Sequence, residues 1–228
     1  QEHYNAFTQF EAVVKNLPSG VHKLSVLVDN SFSEASALHV ENDYQSYGGI
    51  SRGVMLEQLP KHYIKQLHFT PVCKDDTWYA QLELVIASLD GKPWKGKVSV
   101  SLKGCDDVNE NVLYTQSCST GAGELVLKSD LIACENAKPW APEHPTLYML
   151  SAQLEDEDGK VIDDLIDRVG FREVRTQGKD ILLNGKKLQI KGFCRHEDHP
   201  QFGCALPLSA IMQDLQPVSY THLTLPTI

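Results

Sequence analysis

The sequence has no long hydrophobic run, no C-x-x-C pair and no surplus of positive charge, and each absence removes a class of protein. Its longest apolar stretches, such as Leu82 to Ala87 interrupted by Glu83, fall far short of the roughly 20 residues that a membrane-crossing helix needs. No membrane partner is expected. Lys and Arg number 21 against 30 Asp and Glu, giving a formal net charge of -9 and an isoelectric point near 5.4. Binding a phosphate backbone requires a basic face, so nucleic acid is not an expected partner either. The six cysteines, Cys73, Cys105, Cys118, Cys134, Cys194 and Cys204, are scattered, with no histidine at zinc-finger spacing. That distribution favours reduced, mostly buried thiols and no bound metal, although an even count leaves disulfides open. The opening Gln1-Glu2-His3-Tyr4 lacks an initiator Met and the basic and apolar segments of a secretory leader. The start is therefore expected to have been processed, or the chain to be a fragment.

What is present is ordinary globular material. Of 228 residues, 42% are hydrophobic and 22% charged, which suits one large or two small domains. Strand signals dominate as far as Arg175. Leu24, Val26 and Val28 alternate with Lys23, Ser25 and Leu27 before the turn pair Asp29-Asn30. Similar runs follow at Val54 to Leu59, Tyr63 to Phe69, Trp78 to Ala87, Val98 to Leu102, Glu124 to Leu127, Leu147 to Leu154 and Val161 to Val174. Between them stand Asp90-Gly91, Lys103-Gly104, Gly121-Ala122-Gly123 and Asp158-Gly159, spaced as antiparallel turns are. Many short strands separated by turns predict β-sandwiches. The break at Gln58 to His62 marks off a first strand set, too small to close a sandwich without more chain upstream.

The pattern changes after Arg175. Ile181 to Ile190 reads as a hairpin around Asn184-Gly185, because both central residues of a type I′ turn need positive φ. An apolar strand from Leu188 to Cys194 is followed by the polar cluster Arg195-His196-Glu197-Asp198-His199. Pro207 then opens a helix carrying Leu208, Ile211, Met212 and Leu215 on one face, expected to end at Gln216. A strand, a polar loop and a helix form the opening unit of an α/β fold. Residues 217–228 carry no charge and no helical period, and they are expected to be a non-native tail.

The densest chemistry lies in Arg195 to His199. Burying so many ionisable groups is costly unless they satisfy one another or a polar ligand, and in an α/β barrel the end of a strand is where active sites form. A solvated loop is the plain alternative. Zinc binding by His196 and His199 is weaker, since no cysteine accompanies them.

These stretches resemble glycoside hydrolase family 2, the family of β-galactosidases and β-glucuronidases. The resemblance rests on Asp167 to Val174, Leu183-Asn184-Gly185-Lys186, and Gly192 to Pro200 with Gly203, which look like the junction between an immunoglobulin-like domain and a (β/α)8 barrel. Phe7 to Glu11, Val26 to Asn30 and Asp43 to Arg52 resemble the second half of the family's sugar-binding jelly roll, and Lys138-Pro139-Trp140 with Pro145 to Tyr148 its immunoglobulin-like domain. The fold class this implies is mainly β: part of a jelly-roll sandwich over 1–61, an immunoglobulin-like sandwich over 62–174, and the first strand and helix of the barrel over 175–216.

By the same resemblance, His196 and Asp43 are the substrate-binding residues, facing sugar hydroxyls that need both donors and acceptors. Arg195, Glu197 and Asp198 are expected to orient their loop. Gly48-Gly49 would fix a loop from which Asp43 and Arg52 reach a neighbouring domain, while Trp140 and Tyr148 are expected to pack in a core. The family's acid/base and nucleophile are glutamates on later barrel strands, so no catalytic residue is expected among residues 1–228, and the chain alone is expected to be inactive. Implied further are a carbohydrate substrate, no cofactor and a homo-oligomeric whole protein. β-Glucuronide and β-galactoside fit equally. A weak lean to the cytoplasm follows from the acidic composition and unpatterned cysteines. The alternative function is a non-catalytic sandwich module holding carbohydrate or protein.

Overall fold

The computed structural model describes residues 1–4, 8–32, 47–105, 110–121, 123–190 and 195–218. They fall into two compact units, one formed by 57–191 and the other by 1–56 together with 192–228. In the 57–191 unit the period-two runs become a two-sheet antiparallel sandwich. β1 (His62–Lys74) pairs with β2 (Thr77–Ser88), while β3 (Trp94–Gly104) pairs with β4 (Asn111–Thr120) in the other sheet. β5 (Glu124–Lys128) and the short β6 (Ile132–Ala133) both pair with β2. β7 (Tyr148–Asp156) returns to β3, and β8 (Val161–Val169) lies outside β7.

Alternation decides what is inside. Leu82, Leu84 and Ile86 of β2 face Val98 and Val100 of β3 and Leu150 and Leu154 of β7 across one core, all of them buried. Each such side chain contributes roughly 1.5–3 kcal/mol relative to exposure. β1 is an edge strand, and beside its bulge between Ile64 and Gln66 the Ile64 N–H donates to Asp163 on β8 at 2.7 Å. Burial pushes the Asp163 carboxyl above its ordinary range, and that hydrogen bond partly offsets the effect. A link between edge strands of the two sheets thus rests on one carboxylate.

Phe171 is completely buried and sits where the aromatic residues converge. Its ring meets Phe69, Trp78 and Tyr148 edge-on, with centroids 5.2, 5.8 and 5.3 Å away. The Tyr148 hydroxyl accepts the Lys138 N–H at 2.8 Å, so this ring packs in the cluster and is satisfied at its polar end. Trp140 is half-buried, its backbone N–H donates to the Phe171 carbonyl, and the Arg172 guanidinium lies 5.1 Å over its ring. Gly170 makes this possible, since a Cβ there would stand 3.2 Å from that of Trp140.

Several expectations need correction. Leu24 to Val28 and Val54 to Leu59 form no strand; the described residues hold no ladder partner for them, and Leu24, Leu27 and Leu56 are among the most exposed apolar side chains. The single strand expected over Val161 to Val174 is two, because the chain turns Phe171 into the core between β8 and β9 (Val174–Gln177). Lys103-Gly104 ends β3 and is not a turn between strands. β4 was not foreseen, nor was the turn between β1 and β2, where Asp75 and Asp76 both take positive φ without a Gly or Asn to mark it. Of the cysteines, Cys73, Cys118, Cys134 and Cys204 are only partly buried, Cys105 is exposed, and all five are free thiols. Burial pushes the Cys118 and Cys134 thiols up. Cys194 lies outside the described residues.

The Asn184-Gly185 hairpin is present. β10 (Asp180–Leu183) pairs with β11 (Lys186–Lys187) across it and with β9 on its other side, with φ of 50° and 74° at the two turn residues. Asn184 also accepts the Glu173 N–H through its side-chain oxygen and donates to the Trp140 carbonyl. Leu188 to Ile190 carry no strand pairing, and residues 191–194 of the expected barrel strand lie outside the described ones. α1 (Leu208–Val218) begins just after Pro207 as expected and runs through Pro217, which in a last turn removes only one hydrogen bond. Its apolar face is open, with Leu208, Met212 and Leu215 exposed. No helix among the described residues is long and apolar enough to cross a membrane.

Candidate active-site loop

The polar cluster lies in the unit formed by 1–56 and 192–228, and two stretches far apart in sequence build it. Gly49, at a φ of 106°, bends the chain between Tyr47 and Arg52. The Tyr47 ring lies flat against Gly203, where a Cβ would come within 3.0 Å of it. Gly203 itself has φ 55° and closes a tight turn with His199, each accepting the other's N–H, and the His199 ring sits 5.0 Å from that of Phe202. Glycine is required at 203 twice over, by its backbone and by the ring upon it.

The side chains between Arg195 and His199 are tied to different elements. Glu197 accepts from Arg52 at 2.8 Å and from Arg195 at 3.4 Å. Arg195 also donates to Asp214 on α1 at 2.7 Å, and Arg52 donates to the Cys204 carbonyl at 3.1 Å. Asp198 accepts the Tyr47 hydroxyl proton. These contacts push Arg52 and Tyr47 up, since Glu197 and Asp198 favour their protonated forms. His196, in the middle, is exposed and lines an open groove with Arg195, Asp198, His199, Leu206, Asp214 and Leu215.

The carboxylates Glu197 and Asp198 accept from protein donors, and His196 lines the groove beside them. Such an arrangement can present a donor and acceptor to a hydroxylated ligand. Asp43 lies outside the described residues. Among the described residues no three His, Cys, Asp or Glu side chains gather as a metal site would. Sequence reasoning brought Arg195, Glu197 and Asp198 together but missed Tyr47 and Asp214. Tyr47 is 151 positions from its partner, and nothing local marks that pairing.

A two-sheet sandwich followed by a polar loop and helix is the architecture of a sandwich domain leading into a barrel. Profiles of known families match both parts: "Glycosyl hydrolases family 2" over residues 62–172, and "Glycosyl hydrolases family 2, TIM barrel domain" over residues 174–222. The chain belongs to glycoside hydrolase family 2. A crystal structure of a β-galacturonidase of this family from Eisenbergiella tayi, bound to galacturonate, is 51% identical and covers 84% of this chain and 33% of that one, with a TM-score of 0.75. A Formosa agariphila protein named "Putative beta-glucuronidase" is 29% identical over 212 residues, which is 90% of this chain and 24% of that protein. A Bacteroides uniformis β-glucuronidase structure at 22% identity shares the fold, with a TM-score of 0.70 over 84% of this chain. The chain therefore spans a quarter to a third of the length of these relatives.

Proposed function

We propose that this chain is part of a retaining β-glycosidase that removes terminal β-linked uronic acids, with β-galacturonides as its preferred substrates. The observation that carries this reading is the 51% identity over 84% of the chain to the galacturonate-bound Eisenbergiella tayi enzyme, well above the 29% identity to the Formosa agariphila protein. Family membership narrows the chemistry to glycosides. The identity supports a uronate as the sugar, where the sequence left glucuronide and galactoside nearly balanced.

In this reading His196 and Asp43 bind sugar hydroxyls, and Arg195, Glu197 and Asp198 hold their loop. Retaining hydrolysis needs two carboxyls about 5–5.5 Å apart, and those lie on later barrel strands, so residues 1–228 by themselves do not turn over substrate. Homo-oligomeric assembly of the whole protein belongs to the same proposal. The non-catalytic module loses ground, because the barrel profile covers the segment that a pure sandwich protein has no use for.

The test is a comparison of p-nitrophenyl β-D-galacturonide, β-D-glucuronide and β-D-galactoside with the full-length protein. A site built to pair a carboxylate is left with unpaired groups by a neutral hydroxymethyl, so kcat/KM should favour the uronides over the galactoside by at least roughly 100-fold. Galacturonide should lead. Equal or faster galactoside hydrolysis would remove the uronide reading.

A further inference from the structure

The residues flanking His196 are each fastened to a different element. Arg195 is tied to Asp214 on α1, Glu197 to Arg52, and Asp198 to Tyr47, and the last two partners come from the Gly49 loop. The Arg52 and Glu197 side chains are 63% and 32% exposed. An ion pair that open contributes little to stability, so holding the fold together does not explain the arrangement. Geometry does. Arg52 uses one nitrogen for Glu197 Oε2 and the other for the Cys204 carbonyl, on the chain beyond the His199–Gly203 turn. One guanidinium thereby ties Glu197, the residue next to His196, to the chain at Cys204. A planar fork can do this, whereas an ammonium can satisfy only part of it.

We propose that Arg52 and Tyr47 are positioning residues: together they clamp the Arg195–His199 segment and fix the His196 imidazole for the sugar. The proposal rests on the reading of His196 as a sugar-binding residue and adds how that residue is held. In this role neither Arg52 nor Tyr47 binds the sugar itself; both hold protein groups. Their effect is felt only through His196, which gives the clamp a signature that a general structural role lacks.

The experiment is a kinetic cycle in the full-length protein, using whichever of the three chromogenic glycosides is turned over fastest. Arg52→Ala should lower kcat/KM by roughly 10-fold or more, because small displacements of a binding group cost that much or more in rate. Tyr47→Phe should lower it several-fold and Arg52→Lys should recover part of the Arg52→Ala loss, all with an unchanged denaturation midpoint. Added to His196→Ala, Arg52→Ala should cost less than 2-fold more, since what it positions is gone. An Arg52→Ala loss of full size in the His196→Ala background would overturn the clamp, as would normal kinetics in both Arg52→Ala and Tyr47→Phe. Undiminished activity of His196→Ala alone would show that the sugar-binding reading beneath it had failed. If Arg52→Ala does not fold, Tyr47→Phe in the same two backgrounds decides.

Discussion

Phe171→Ala should destabilise the 57–191 unit by about 3–5 kcal/mol, the loss typical of emptying a large buried aromatic site. The side chain is completely buried, and its three edge-on partners make the cost larger than area alone would give. Such ring pairs add roughly 0.5–1.5 kcal/mol each beyond burial. Collapse cannot refill the site easily, because Phe69 and Trp78 sit on β1 and β2 of one sheet and Tyr148 on β7 of the other. The readout is tryptophan fluorescence during urea unfolding. The chain's three tryptophans, Trp78, Trp94 and Trp140, all lie in this unit, so the signal reports it alone. Phe171→Leu, which keeps most of the volume, should lose less than half as much. A loss under about 1 kcal/mol for Phe171→Ala, the size of an ordinary surface change, would mean that the rings are not packed as described.

The second large effect belongs to Gly96→Ala. A Cβ at Gly96 on β3 would stand 2.1 Å from the Glu155 carbonyl oxygen of β7 and 2.2 Å from a Trp94 ring atom. The nearer atom is backbone in a paired strand, so the ladder from Gly96 to Asp156 has to shift. Overpacking of this kind costs about 1–3 kcal/mol or more, and here it falls at a place where neither neighbour can rotate away. Gly121→Ala is the control, since nothing lies within 4 Å of a Cβ there. It should change stability by less than about 0.5 kcal/mol. Equal midpoints for the two variants would contradict the close approach of β3 and β7.

The central strands were legible because burial on one face imprints alternation. Trp78 to Ala87, Val98 to Leu102 and Leu147 to Leu154 each announce a strand, and each is one. The Asn184-Gly185 turn and the helix after Pro207 were legible for equally local reasons, positive φ and a first-turn proline. β4 escaped because an edge strand has little burial to imprint, and Asn111 to Thr120 is mostly polar. Phe171 escaped for a different reason. Its sequence neighbourhood reads as one continuous strand, and only the fold shows the chain leaving the sheet after Gly170 to place that ring among residues from three other strands.

The site was legible in part. A dense run of ionisable groups after an apolar segment drew attention to Arg195 through His199, and resemblance supplied the roles. Local sequence could not show that Glu197 is held between two arginines or that Tyr47 reaches Asp198. Those pairings depend on the bend at Gly49 and the turn at Gly203, whose meeting is a property of the folded unit.

The position of the bound sugar is the most direct test of His196 as a sugar-binding residue. A crystal structure of the full-length protein with galacturonate should place His196 and Asp43 within hydrogen-bond distance of ring hydroxyls, with Glu197 still between Arg52 and Arg195. Galacturonate bound elsewhere, with the His196 imidazole turned away from it, would contradict the account.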